Sequence, residues 1–165
     1  MGIRKYLTIG LATAGGAGLI PKAPGTWGSV VGVGVGLAAQ KAVVLAGAGS
    51  GMPFYVAAIL IWLGIIVISW KVTAAAEAHW NNHDDKRIVI DEVAGQMLVT
   101  MFFCATWTQV LLGFLLFRLF DIWKPGPIGW YDRQSTSWST VADDLLAGLA
   151  ALACLWVLTL ILPGI

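Results

Sequence analysis

The chain has 165 residues, 58% of them hydrophobic and 12% charged, with nine Trp and a mean hydropathy of +0.81. An average soluble domain carries roughly 25% charged residues, so lipid rather than water must cover much of this surface. A net charge of +1 excludes a nucleic-acid partner, which calls for a basic surplus, and the length gives a single domain over residues 1–165.

Arg4 and Lys5 precede an apolar run at 6–20 that has the look of a secretory signal. Glycines dilute the run and a motif begins directly after it, so it reads as a retained, re-entrant or interfacial segment. Position 6 is Tyr, not the Ser or Thr that myristoylation favours. Apolar stretches follow at 29–47, 54–70, 88–105, 108–122 and 145–162, separated by Gly, Pro or charge clusters. The second and last approach the ~30 Å hydrocarbon thickness of a bilayer. The two between are marginal: residues 93–103 rise only about 17 Å, so that helix must begin near Ile88 and carry Asp91 and Glu92 in its first turns, or the pair forms a hairpin that does not cross. The fold expected is all-α, an integral membrane bundle of about four to five membrane-embedded helices. Cys104 and Cys154 lie in apolar stretches and read as inert packing thiols.

Placing the basic amino terminus in the cytoplasm puts the turns at 48–53, 104–107 and 163–165 on the far side, and none of them holds a charged residue. Every acidic residue, and every basic one except Lys41, then falls at the cytoplasmic end. Lys41 reads as a snorkelling residue near the outer end of its helix.

Four segments at the charged end carry chemistry. The pairs Asp91-Glu92 and Asp143-Asp144 stand before apolar helices, where a helix amino terminus favours anions. Solvated caps explain one acid at each place; two adjacent carboxylates repel, and a bound Mg²⁺ would relieve that. Each pair is followed by Ala-Gly (Ala94-Gly95, Ala147-Gly148), so two helices packed on those glycines would converge their acids. Arg118, Asp121 and Lys124 recur every three residues, span about 120° of a helix face, and end at Pro125; they offer either a phosphate clamp with a metal-binding acid or an internal ion-pair network. The run from Pro21 to Ser29 reads as a Pro/Gly turn opening a helix at Ser29, with amides and hydroxyls suited to an anion. His79 and His83 read as solvated loop histidines rather than a metal pair.

These segments together resemble the phosphatidylglycerophosphatase A family over about residues 19–152. The resemblance rests on Pro24-Gly25-Thr26-Trp27-Gly28-Ser29, on Asp84 with Ile88-Val89-Ile90-Asp91-Glu92 and Gly95, on Phe117-Arg118 with Asp121 and Lys124-Pro125, and on Asp143-Asp144 with Ala147-Gly148. It implies Mg²⁺-dependent removal of the terminal phosphate of the lipid phosphatidylglycerophosphate, giving phosphatidylglycerol, by a multi-pass protein of the bacterial inner membrane with its site facing the cytoplasm. Carried over by position, Asp84, Glu92, Asp121, Asp143 and Asp144 are the metal candidates, and Thr26, Arg118 and Lys124 bind substrate. Asp91 is the catalytic candidate, either activating water or attacking phosphorus. The chain departs from the family at 135–140, where Ser-Thr-Ser-Trp-Ser-Thr replaces a Gly-rich stretch. A CDP-alcohol phosphotransferase fits poorly because its long acidic spacing is absent, as is the Pro-Ser-Gly-His of histidine lipid phosphatases. The alternative of another class is a non-catalytic ion-binding scaffold or transporter component, against which the gathering of acids at one end counts, since transporters bind ions near the midplane.

Overall fold

The computed structural model describes residues 2–103 and 105–162. Cys104, the Arg4 side chain and the turn at 163–165, on which expectations above rest, lie outside what it describes. Helices α1 (Gly2–Ala12), α2 (Pro24–Leu45), α3 (Gly51–Trp80), α4 (Ile90–Phe103), α5 (Trp107–Trp123), α6 (Pro127–Asp132) and α7 (Ser137–Ile161) make up the fold, with a 3-10 stretch at Ala14–Leu19 and no strand among the described residues. The all-α expectation holds.

Of the four to five membrane-embedded helices expected, three are long enough to span. Among the described residues α2, α3 and α7 are long and apolar enough to cross a membrane. At 14 and 17 residues, α4 and α5 rise about 21 and 26 Å, short of ~30 Å of hydrocarbon. They form a hairpin, and a capping box at the start of α5 pairs Thr106 Oγ1 with the Gln109 amide. The reason for the miss is that α4 is apolar because protein surrounds it. Every side chain from Ile90 to Met101 except that of Glu92 is buried, and α2, α3, α5 and α7 all pack on it. In contrast, Leu60, Leu63, Val67 and Ile68 of α3 stand exposed, an apolar stripe suited to lipid.

Glycines set how closely the helices approach α4. A Cβ on Gly32 would come within 2.9 Å of Gln96 Cβ, and one on Gly36 within 2.8 Å of Thr100 Cβ, so α2 lays the i, i+4 face of these residues directly on α4. On its other side, a Cβ on Gly95 would meet the Asp144 carbonyl at 2.5 Å, and one on Gly148 the Gly95 carbonyl at 2.5 Å. The two acid-Ala-Gly segments therefore cross backbone to backbone. That crossing brings Asp91-Glu92 and Asp143-Asp144 to the same end of the bundle.

Helix α3, with 30 residues, rises about 45 Å and outruns the bilayer by roughly 15 Å. Trp70 makes an edge-to-face contact with Trp138 in the first turn of α7, centroids 5.9 Å apart, so the last ten residues of α3 project beyond that level. His79 lies on this projecting helix rather than in a loop, and His83 Nδ1 sits 2.6 Å from Glu77 Oε1; neither approaches the other as a metal pair would. Lys41 lies exposed near the opposite end, beside Phe54, Tyr55 and Phe103, around a cavity of about 600 Å³.

Candidate functional site

At the charged end a cavity of about 300 Å³ is bounded by the start of α2 (Ala23, Pro24, Gly25), the α3–α4 loop (Asp84, Lys86, Ile88), α4 (Asp91, Glu92), the end of α5 (Arg118, Asp121, Lys124) and α7 (Thr140, Asp143, Asp144). Eight of the nine residues singled out in the sequence thus line one space. The ninth, Thr26, does not line it; the backbone of its turn does. Helix α2 opens at Pro24, not at Ser29, with Ala23 before it in the left-handed region (φ 51°) and Pro at the first position, where its missing N–H costs nothing. Thr26 is therefore a residue of the first helical turn. Gly25 leaves room for the Glu92 carboxylate, whose Oε1 a Cβ at this place would displace.

The acid pairs are unlike in their placing. Asp91 and Glu92 occupy the first turn of α4, and Asp91 Oδ1 accepts from the Glu92 amide at 3.0 Å. Asp143 and Asp144, in contrast, do not begin α7: Thr136 caps it through the Ser139 amide, and the helix starts at Ser137. Two turns into a helix the terminal dipole has faded and every amide has its partner, so capping does not account for these two acids. The Ser-Thr run that replaces a Gly-rich stretch is itself the cap and first turn of the helix.

Carboxylate oxygens of Asp91, Glu92 and Asp144 lie within 4.8 Å of one another. Unit charges at that spacing repel by about 3 kcal/mol per pair at an effective dielectric near 20. Among the described residues, Glu92 Oε2, Asp143 Oδ1 and Asp144 Oδ1 are buried without a hydrogen-bond partner. Hard, converging, unsatisfied oxygens are what a small divalent cation takes up, so the residues present fit one. Of the five metal candidates, Glu92 and Asp144 belong to this tight group together with Asp91, the catalytic candidate. Asp84, Asp121 and Asp143 line the cavity outside it. Asp84 is exposed on the loop, with its amide bonded to Glu77 Oε1 at 3.0 Å.

The cations are partly committed. Arg118 Nη1 lies 2.5 Å from Asp121 Oδ2 and donates to Ser29 Oγ at 3.2 Å, while its buried Nε has no partner. Ser29, fully buried, donates in turn to the Gly25 carbonyl at 2.9 Å. Lys124 caps α5 in the left-handed region (φ 49°) and bonds Asp143 Oδ2 at 2.7 Å and Asp132. Burial works against its charge, but those two carboxylates outweigh it and hold its pKa above the usual lysine range.

Three residues that matter here were assigned no role of their own in the sequence, Ser29 standing there only as the end of the Pro21–Ser29 turn. Ser29 is a hydroxyl four residues after Gly25 on the helix face that meets Arg118. Lys86 lies between Asp84 and Ile88, both in the family pattern. Asp132, counted only among the acids of the charged end, is half of the clasp on Lys124. The first two had a signal, the spacing from motif residues; the third had none.

The model of the family described as phosphatidylglycerophosphatase A matches residues 10–159. The protein named phosphatidylglycerophosphatase A of Escherichia coli K12 is 34% identical over 149 residues, covering 88% of this chain and 80% of its own length. Its namesake in Haemophilus influenzae is 35% identical over 143 residues, covering 86% and 82%. No solved structure matches the chain. A match that spans nearly the whole chain and takes in all four motifs leaves one assignment: the chain belongs to the phosphatidylglycerophosphatase A family of phosphatases.

Proposed function

We propose that the chain hydrolyses the terminal phosphate monoester of phosphatidylglycerophosphate with Mg²⁺, giving phosphatidylglycerol and phosphate. The substrate follows from the family and its named relatives. The single observation that supports the metal is the set of three carboxylates within 4.8 Å of one another, with buried unpaired oxygens on Glu92 and Asp144. Glu92 and Asp144 would hold the ion, with Asp91 beside it. When bound, it supplies Lewis-acid polarisation of a phosphoryl oxygen and lowers the pKa of a coordinated water.

In this reading the chain's own groups divide the remaining work. Arg118 presents its guanidinium to the non-bridging phosphate oxygens, fixed in direction by Asp121 and Ser29. Lys124 holds Asp143 in place and adds positive charge beside the leaving oxygen. Asp91, with one oxygen held by the Glu92 amide, takes the proton of the attacking water through its other oxygen. A cavity bounded by six carboxylates and three cations repels a dianionic phosphate unless positive charge is added, which is a second reason for the ion.

We place the protein in the bacterial inner membrane with this end in the cytoplasm. Lys22, Lys86, Arg87 and Arg133 surround the site in loops, whereas Lys41 is the one charged residue at the other end among the described residues, as the positive-inside rule requires. The first helix, too short to cross at 11 residues, lies along the interface with Tyr6, Leu7 and Leu11 outward. Purified protein in detergent should release phosphate from phosphatidylglycerophosphate with Mg²⁺ and lose the activity in a chelator. Release that persists at full rate after complete chelation would overturn the metal, and no release under any condition would overturn the substrate.

A further inference from the structure

Of the three cations bounding the cavity, two are already engaged by protein carboxylates: Arg118 by Asp121, and Lys124 by Asp143 and Asp132. Lys86 is exposed and makes no ion pair or hydrogen bond among the described residues. Its position is nonetheless fixed by everything around it. Asp85, buried, accepts from the Arg87 amide at 3.1 Å, from Arg87 Nε and Nη2 at 2.7 Å each, and from Asn82 Nδ2 at 2.9 Å. Arg87 also lies over the Trp80 ring, 4.2 Å from its centroid, and its carbonyl is pressed against Gly18, which admits no side chain. The charges at 85 and 87 thus satisfy each other on one side of the loop. Residues 84 and 86 are left on the cavity side, with the lysine in no ion pair among the described residues.

We propose that Lys86 recognises the phosphodiester of the lipid substrate, the phosphate that stays with the product. This rests on the phosphatase reading above. The substrate carries two phosphates separated by a three-carbon glycerol. With the terminal one in the acid centre, the diester is left nearer the rim, toward its acyl chains, and the rim is where Lys86 stands. A diester bears a single charge and has no need of a planar fork, so the compact ammonium of lysine suits it, whereas the dianionic monoester deeper in is matched by Arg118. Specificity for a lipid with both groups would then come from two cations of different kinds.

Full-length protein in detergent, tested as wild type, Lys86→Gln and Lys86→Arg, decides the matter in two assays. Native mass spectrometry measures retention of phosphatidylglycerol, which holds the diester alone, against phosphatidic acid, which holds a monoester alone, and against inorganic phosphate. Lys86→Gln should lower the ratio of phosphatidylglycerol to phosphatidic acid about fivefold, the upper range for an exposed charge pair; Lys86→Arg should restore most of it, and retention of inorganic phosphate should be the same in all three. With phosphatidylglycerophosphate as substrate, the loss should fall on KM rather than kcat. Thermal stability should hold, since the side chain has no protein partner to lose. An unchanged lipid ratio, or an equal loss for both lipids and for inorganic phosphate, would overturn the proposal. If the wild type releases no phosphate from phosphatidylglycerophosphate, the phosphatase reading fails, and the retention ratio still decides the role of Lys86.

Discussion

The two ends of this bundle are made by the same helices and differ in what they do with space. The far end holds a larger cavity, about 600 Å³, lined mostly by apolar side chains, with Gln40, Lys41 and Ser50 and no carboxylate. The charged end holds about half that volume, lined by carboxylates of which Glu92, Asp143 and Asp144 each bury an oxygen without a partner. Size is thus a poor guide to chemistry here, because a gap between splayed helix ends in lipid is filled by acyl chains at little cost. Unsatisfied buried charge is a better one, since it is expensive to maintain and persists only when something else repays it.

The sharpest way to break the comparison is to remove one charge from the acid cluster. Asp144→Asn or Glu92→Gln preserves shape and most hydrogen bonding. A cap would lose about 1 kcal/mol or less by such a change, and Asp144 is no cap, because α7 begins at Ser137. Phosphate release should fall by about 100-fold or more, the scale on which charge-stabilising groups act. The melting temperature in detergent should stay level or rise as like-charge repulsion is relieved. Turnover within about threefold of wild type in both variants, where no group of that scale has been lost, would make the cluster a structural feature.

Next in size is the seam that brings the acids together. A Cβ on Gly148 would lie 2.5 Å from the Gly95 carbonyl, and backbone cannot swing aside as a side-chain tip can. Gly148→Ala should therefore cost about 1–3 kcal/mol, as other overpacked contacts do, and lower activity in parallel because the two acid pairs part. Gly64 of α3 is the control: nothing lies within 4 Å of a Cβ there, so Gly64→Ala should be neutral or stabilise by up to about 1 kcal/mol. Thermal scans in detergent compare the two directly. Equal behaviour would mean that the α4–α7 crossing is loose.

The seam also shows what the sequence reveals and what it withholds. An acid pair followed one or two residues later by Ala-Gly, at 91–95 and again at 143–148, pointed to a crossing because small residues let membrane helices approach closely, and the crossing is there. The charge-free turns gave the alternation of ends for the same kind of reason: a charge in hydrocarbon is costly enough to leave a pattern. Hidden was every feature set by tertiary neighbours. The Ser-Thr run before Asp143 suits a loop as well as a helix start, and only the Thr136 cap decides. Helix α4 has the composition of a span and lacks its length because protein, not lipid, surrounds it. Which lysine at the site is engaged depends on Asp132 and Asp143 reaching Lys124 from other elements, and no local pattern records that.

The smallest expected effect separates the loops at the two ends by pH. Arg87, first through its side-chain hydrogen bonds, holds the Asp85 carboxyl well below the usual carboxylate range, with Asn82 adding to this and burial opposing it. A carboxyl whose pKa is depressed in the fold stabilises the folded loop at pH values above its unfolded pKa of about 3.9, and that contribution is lost as pH falls below it toward the folded value. Around Asp85 the other charged or titratable groups are His83 and Glu77, paired with each other, and exposed Asp84 and Lys86; none of them bonds Asp85. Below about pH 4 the Arg87 and Ile88 amides, which bond the Asp85 side chain and carbonyl, should lose protection from hydrogen exchange after correction for intrinsic rates. The far loop at 46–50 has no titratable side chain, and its Gly47 and Ala48 amides bond backbone carbonyls, so its protection should not move. Asp85→Asn at neutral pH should reproduce the acid effect at the charged end alone. Protection lost at both loops together would mean that acid unfolds the bundle as a whole, and protection kept at both would show that Asp85 braces nothing.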